Sequence, residues 1–470
     1  MEKTTLAVIG AGPGGYPAAF MAADLGIDVT LIDPEQNPGG VCLYSGCIPS
    51  KALLHVSKVL TEAKHASDWG INFSEPKIDI EKLRSWKNKV VNKLTGGLGQ
   101  LSKQRKVKYK IGKAKFTDNK TLKIINENGN EELLSFDYAV IATGSRPATI
   151  PNMPVDSINI LDSTSALDLE EIPKSMLIVG GGYIGLELGT FYASLGTRVS
   201  VVEMTNDLMP GVDRDLVKVL EKRLSTIFDS IMLNTKVESL SENKKGINVT
   251  FSGKKLDKKE IAFDKVLISV GRIPNSENLD LENTKIKIDK RGFILIDKKR
   301  RTDDPNIYAI GDVAGEPMLA HKATHEGRLV SEIIAGRDLV FEPKAIPAVV
   351  FTDPEIAWCG LTETQARDEG IDIKVAKFPW GASGRATTLD RNEGLTKLII
   401  DPQTEMILGM GIVGTGAGEL ISEGVLAVEM AAVVSDIELS IHPHPTLSET
   451  IMETAESFYG NSTHIYRPKR

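Results

Sequence analysis

Two cysteines, Cys42 and Cys47, stand with four residues between them in GGVCLYSGCIPSKALL, and the chain holds only one more, Cys359. Such a pair can open and close as a disulfide, supply half of a metal site, or simply pack. Metal coordination fits badly, because Cys359 is isolated in AWCGLTE and no histidine cluster lies at ligand spacing near Cys42. A straight helix would place positions 42 and 47 ~7.5 Å apart along its axis, beyond the ~5.5 Å that a disulfide prefers. The backbone is therefore expected to turn between them, at Gly46. Past that turn Pro49 suits the first turn of a helix, and SKALLHVSKVLTEA has the apolar period to continue it. Cys47 then lies at a helix N-terminus, where the partial positive charge and Lys51 favour thiolate over thiol. Two buried packing cysteines are the plain alternative.

The elements that must position this pair precede it. TTLAVIGAGPGGYPAAFMAADLGIDVTLID reads as a buried strand, a turn with Gly10, Gly12 and Gly15, an apolar-faced helix and a strand ending at Asp33. The glycines permit a tight turn, close approach of backbone to a pyrophosphate, and packing of helix on strand, while Asp33 would accept ribose hydroxyls. One such match is a weak signal. SMLIVGGGYIGLELGTFYASLGTRVSVVE repeats it with Gly180, Gly182, Gly185 and Glu203, and the first glycine precedes the acid by 23 residues in both. Two dinucleotide sites imply electron transfer between two cofactors. The first lies beside the cysteines and needs a carrier that both accepts electrons from a thiolate and handles hydride, which points to FAD. At the second, Glu203 followed by Met204 and Thr205 would repel the extra phosphate of NADP, which points to NAD.

At 470 residues, 41% hydrophobic and 25% charged, the chain suggests three or four globular domains. Lys plus Arg number 56 against 63 Asp plus Glu, with no dense basic run, so nucleic acid is not an expected partner. The N-terminus lacks a signal-peptide pattern, and the mature chain is expected to start there. GELISEGVLAVEMAAVVSD is interrupted by Glu419, Glu423 and Glu429, so no membrane anchor is expected. So few cysteines point to a reducing, cytoplasmic setting. FSEPKIDIEKLRSWKNKVVNKLTGGL reads as a charged helical excursion, SENKKGINVTFSGKKLDKKE as a hairpin, and the texture changes near residue 348.

GAGPGG, GGVCLYSGCIPSKALL, IATGSRP, GGGYIGLELG, SVGRIPN, YAIGDV, MLAHKA and HPHPTLSE, with their spacing, resemble the dihydrolipoamide dehydrogenases, within the class I pyridine nucleotide-disulfide oxidoreductases, along essentially the whole chain. The resemblance implies an α/β protein with two Rossmann-like dinucleotide-binding domains plus an α+β C-terminal dimerisation domain. The expected domains are FAD-binding (1–147), NAD-binding (148–270), central and returning to FAD (271–347), and dimerisation (348–470). It implies oxidation of protein-bound dihydrolipoamide to lipoamide with reduction of NAD⁺ to NADH, by way of the protein disulfide and FAD. It further implies a homodimer serving 2-oxoacid dehydrogenase or glycine cleavage complexes, with lipoyl domains and an acyltransferase core as partners.

By the same resemblance, Cys42 is the sulfur attacked by substrate and Cys47 the one against the flavin, with Lys51 paired to Glu187 nearby. Gly14, Gly40, Val41, Ala114, Thr143, Gly144, Ser145, Asp312 and Ala320 join the first glycine motif in holding FAD. Tyr183, Ile184, Val237, Val270, Gly271 and Arg272 join the second in holding NAD. The base is His444, oriented by Glu449 and delivered from a second subunit; it stands just before a helix that is expected, from the sequence itself, to open at Pro445 and Thr446. Thr446 and Glu449 also fit a helix capping box, and His442 is expected to be structural. His55, His65, His325 and His464 read as surface or packing residues. The sequence departs from the family at Asp33, where a longer Glu is expected, and at LYSG between the cysteines. Within enzymes, glutathione or mercuric reductase is the rival; outside them, an inert nucleotide-binding scaffold is.

Overall fold

The computed structural model describes residues 1–150, 157–244, 246–253 and 259–466. Its first unit opens with β1 (Glu2–Ile9), α1 (Gly15–Asp24) and β2 (Val29–Asp33), followed by α2 (Gly40–Ser45), α3 (Cys47–His65) and α4 (Ile80–Gln104). Then come β3 (Lys108–Ile111), β4 (Lys113–Asp118), β5 (Thr121–Ile125) and β6 (Glu131–Ile141). The sheet order is β3-β2-β1-β6-β5-β4. β1 runs parallel to both β2 and β6, and every residue of β2 is buried, as a strand covered on both faces must be. The break between α2 and α3 falls at Gly46 (φ −140°, ψ −114°), the turn the cysteine spacing demanded.

β7 (Ser145–Pro147) and the short β8 (Ile160–Leu161) lead into a second unit built on the same plan. β9 (Ser175–Val179), α5 (Tyr183–Ser194), β10 (Arg198–Val202), α6 (Arg214–Ile227) and β11 (Ser230–Met232) repeat the strand–helix–strand arrangement. β12 (Thr235–Asn243), β13 (Gly246–Gly253) and β14 (Glu260–Phe263) form an antiparallel meander beside it, before β15 (Lys265–Ile268) re-enters the parallel sheet in the order β11-β10-β9-β15-β8. The hairpin read at 241–260 is β12–β13, although residues 245 and 254–258 of that stretch lie outside the described residues.

The chain then returns. β16 (Arg272–Pro274) pairs antiparallel with β7, and β17 (Ile307–Ala309) adds to the first sheet beside β6. α7 (Ala320–Ile334) packs against α1 so closely that a Cβ at Gly327 would stand 2.3 Å from the Gly14 carbonyl oxygen. The last domain carries β18 (Ala348–Val350), β19 (Glu355–Gly360), α8 (Glu363–Glu369), β20 (Lys374–Pro379), α9 (Gly384–Thr388), β21 (Leu395–Ile400) and β22 (Ile407–Gly414). Their antiparallel order is β18-β19-β22-β21-β20, followed by α10 (Ala417–Glu429), α11 (Val434–Glu438) and α12 (Glu449–Tyr459). Lys397 of β21, 1% exposed, sits 2.7–2.8 Å from Asp213, Asp215 and Glu363 and ties this domain to α6. These acids are the one group among the described residues whose ligand atoms cluster as for a metal, and the ammonium groups of Lys397 and Lys377 already lie among them. No described helix is long and apolar enough to cross a membrane.

Candidate active site

A cleft of about 690 Å³ runs between the first and second units, and both sulfurs of the pair line it. Cys42 comes from α2, and Cys47 is the first residue of α3. Both are free thiols, Cys47 exposed and Cys42 half-buried. The Cys42 hydrogen bond to Cys47, with the Lys51 ammonium, lowers the Cys47 pKa to about 7, against the opposing effects of desolvation by the cleft walls and of Glu187. The same hydrogen bond, burial and the Cys47 charge push Cys42 up. The two sulfurs are thus chemically unequal, with Cys47 the one that carries charge near neutral pH.

One turn along α3, Lys51 places its Nζ 2.8 Å from Glu187 Oε2 and 4.6 Å from the centre of the Phe351 ring. Glu187, on α5, has a side chain only 4% exposed, and its Oε1 accepts the Phe351 N–H at 2.9 Å. This one carboxylate therefore joins α3, the second unit and the last domain at the cleft. The Phe351 contact has no spacing signal in the sequence, since it depends on how the last domain docks.

Gly10, Gly12, Gly14, Asp33, Gly40, Val41, Ala114, Thr143, Gly144, Ser145, Asp312 and Ala320 all line the same cleft. Gly15 lies behind it: a Cβ there would stand 1.8 Å from the Gly10 oxygen, so only glycine lets α1 start against β1. Gly12 differs, because its Cβ would meet nothing closer than Gly40 Cα at 3.8 Å, in space next to the start of α1 that suits a pyrophosphate. Asp33 is buried, with Oδ2 accepting the Ala11 N–H at 2.6 Å and Oδ1 the Glu35 N–H at 2.9 Å. Burial raises its pKa, and those two hydrogen bonds oppose the rise. The shorter acid thus braces the glycine turn, and exposed Glu35 beside it also lines the cleft.

Glu203 repeats this arrangement in the second cradle, accepting the Gly181 N–H at 2.7 Å and the Thr205 N–H at 2.8 Å. A Cβ at Gly182, which precedes α5, would have nothing within 4 Å, again leaving room for phosphate, whereas Gly180 and Gly185 are packed against Ser269. Tyr183, Ile184 and Arg272 reach the shared cleft, while Val270 and Gly271 lie exposed after β15. Val237 does not come to the cleft; it is 6% exposed and packs in the apolar core of the second unit. Arg272 turns toward the first unit, donating from Nε to Ser145 Oγ and from Nη2 to the Ser145 carbonyl, each at 2.7 Å. Asn275, within SVGRIPN but not singled out there, hydrogen-bonds both Thr143 and Gly144.

His444 lies elsewhere. Its side chain is 73% exposed, its Nδ1 is 2.8 Å from Glu449 Oε1, and it is not part of the cleft lining. Burial acts against ionisation of Glu449, yet the Thr446 N–H and His444 together hold its pKa below the usual range. The helix expected to open at Pro445 and Thr446 begins at Glu449 instead. Thr446 Oγ1 turns back to the Pro443 carbonyl and to Ser448, so only the Glu449 half of a capping box forms. His442 is held between Glu423 and the Ser440 carbonyl, and His464 pairs with Glu453.

Comparison with known proteins gives concordant matches. Residues 4–327 match the family model described as pyridine nucleotide-disulphide oxidoreductase, and 346–455 that family's dimerisation domain. The chain is 49% identical over 467 residues to the dihydrolipoyl dehydrogenase of Vibrio cholerae serotype O1, covering 99% of this chain and 98% of that one. It is 45% identical over 465 residues to the enzyme of the same name from Geobacillus stearothermophilus, at 99% and 98% coverage. Among solved structures it resembles LpdA of Mycobacterium tuberculosis, with TM-score 0.89, 25% identity, and 97% and 100% of the two chains covered. It also resembles the flavoprotein disulfide reductase RclA of Escherichia coli, solved as a Cu(II) complex, with TM-score 0.87, 28% identity, and 97% and 100% coverage.

Proposed function

The chain belongs to the pyridine nucleotide-disulphide oxidoreductase family, and from that premise we infer that it is a dihydrolipoyl dehydrogenase, oxidising protein-bound dihydrolipoamide with NAD⁺. The observation that carries this reading is Cys47, at the start of α3, above the Lys51–Glu187 pair in a cleft shared by both nucleotide units. Bound FAD supplies a two-electron relay between the dithiol and the nicotinamide. The first glycine turn with Asp33, Ser145 and Asp312 would hold it. The second glycine turn with Glu203 would hold NAD.

In the disulfide form, Cys42 accepts attack by a substrate thiolate. A substrate S–Cys42 bond forms, the Cys42–Cys47 bond breaks, and Cys47 leaves as thiolate beside Lys51. The second substrate thiol then attacks the first, closing the lipoyl disulfide and releasing Cys42, which takes up a proton. A substrate thiol is mostly protonated at neutral pH, so a base has to take its proton. His444 fits that task, with Nδ1 fixed by Glu449 and Nε2 left free.

Because His444 is exposed and away from the cleft of its own chain, we place it in the cleft of a second copy, making the working unit a homodimer. The matched dimerisation domain and the exposed apolar residues Leu426, Met430, Leu439 and Ile441 on it support this arrangement. In the cytoplasm the enzyme would serve lipoyl domains of 2-oxoacid dehydrogenase or glycine cleavage assemblies. Steady-state assays with dihydrolipoamide and with glutathione, each with NAD and NADP, test the reading: turnover of dihydrolipoamide with NAD is expected, and preference for glutathione with NADP would overturn it.

A further inference from the structure

Behind the loop that carries Asp312, one carboxylate has no part in the chemistry above. Glu326, on α7, is 0% exposed. Its Oε2 accepts the Gly311 N–H at 2.7 Å. Its Oε1 lies 3.1 Å from Lys322 Nζ and 3.4 Å from Arg300 Nε, as ion pairs without hydrogen-bond alignment. A fully desolvated carboxylate is costly even when paired, and an apolar residue of similar volume commonly serves packing as well or better. Packing of α7 therefore does not account for it.

Its hydrogen bond gives a different answer. Gly311 has φ +72°, a left-handed conformation, and a Cβ there would stand 3.1 Å from the Ala323 side chain on the same helix. The loop thus crosses α7 closely with its N–H aimed at Glu326. The next residue, Asp312, faces the cleft, where its Oδ2 accepts the Ser145 hydroxyl at 2.5 Å. Ser145 Oγ in turn accepts Arg272 Nε at 2.7 Å. A continuous chain of hydrogen bonds and one peptide link therefore runs from the buried acid to Arg272 in the cleft.

We propose that Glu326 is a positioning residue: its buried carboxylate, neutralised by Lys322 and Arg300, holds the Gly311 N–H and so aims Asp312 at the bound flavin. The proposal rests on the reading that this cleft binds FAD. It is tested in the full-length protein by comparing Glu326→Gln/Lys322→Met with Glu326→Leu/Lys322→Met. The two variants carry the same charge change, but only Gln retains an acceptor. FAD affinity of the stripped protein and the visible spectrum of the rebound flavin are measured, each variant also on an Asp312→Ala background.

The Gln variant is expected to bind FAD within about twofold of wild type. The Leu variant is expected to bind about tenfold more weakly, with the flavin spectrum displaced as in Asp312→Ala. On the Asp312→Ala background the Leu substitution is expected to cost nothing further. Equal binding by the Gln and Leu variants, or a Leu effect that adds in full to Asp312→Ala, would overturn the proposal. Failure of the wild-type chain to take up FAD would instead overturn the flavin reading beneath it.

Discussion

The two sulfurs make different predictions although they differ by one turn of chain. Cys47 carries the lowered pKa and faces the cleft; Cys42 is held as a thiol donating toward it. With the flavin oxidised, as in the two-electron-reduced wild-type enzyme and in each single-cysteine variant before any reductant is added, Cys42→Ser should keep a long-wavelength thiolate–flavin absorption band and Cys47→Ser should lose it. In the Cys42-containing enzyme, that band should grow as pH rises through about 7, because a depressed pKa places the anion above it and the neutral thiol below. A band that survives in Cys47→Ser would exchange the two roles. This asymmetry was legible in the sequence, since Gly46, Pro49 and Lys51 fix which sulfur starts the helix. The acid expected at a first ribose contact was legible only in part. Asp33 could be seen to be short, but its engagement with the Ala11 and Glu35 N–H groups required the folded turn. Arg272 was singled out only by the resemblance, as a residue bordering NAD, and its grip on Ser145 was not legible, because the partners lie 127 positions apart.

At the scale of elements, the glycine spacing exposed both strand–helix–strand units, because backbone contact there excludes any side chain. The different uses of those glycines can be separated by experiment. Gly40, with φ +56°, would place a Cβ 2.4 Å from Gly12 Cα, so alanine there must move either the cysteine-bearing α2 or the first glycine turn. Alanine at Gly12 fits without such a clash but intrudes where a pyrophosphate would lie. Thermal melting of the stripped protein should therefore show Gly12→Ala within about 0.5 kcal/mol of wild type, and Gly40→Ala lower by at least ~1–2 kcal/mol. FAD titration should show about tenfold or greater weakening in both. Equal stability of the two stripped variants would refute this division of labour. Helix ends were less legible: Thr446 and Glu449 have the spacing of a cap, but the threonine hydroxyl bonds backward to Pro443, and α12 starts three residues later.

The arrangement of the whole molecule decides whether His444 and the cysteine pair act together. His444 projects from the last domain while the cysteines lie between the first two units, and the two are not joined in one chain's cleft. No periodicity or spacing could report this, because the sequence shows a separation along the chain and not a symmetry operation. If a second copy completes the site, two inactive variants should restore activity when allowed to exchange subunits. In a hybrid of Cys47→Ser with His444→Gln, one cleft receives both lesions and the other receives neither. The hybrid should then have about half the wild-type activity per dimer, against losses of ~10²–10⁴ for the His444→Gln homodimer in dihydrolipoamide oxidation. Random exchange of equal amounts makes half of the dimers hybrid, so the mixture should recover about a quarter of wild-type turnover. Flavin reduction by NADH should persist in His444→Gln throughout, since that half-reaction needs no base at the sulfur side. A mixture that stays inactive after exchange, with hybrids shown by mass to have formed, would mean that each chain builds its own site and that His444 serves elsewhere.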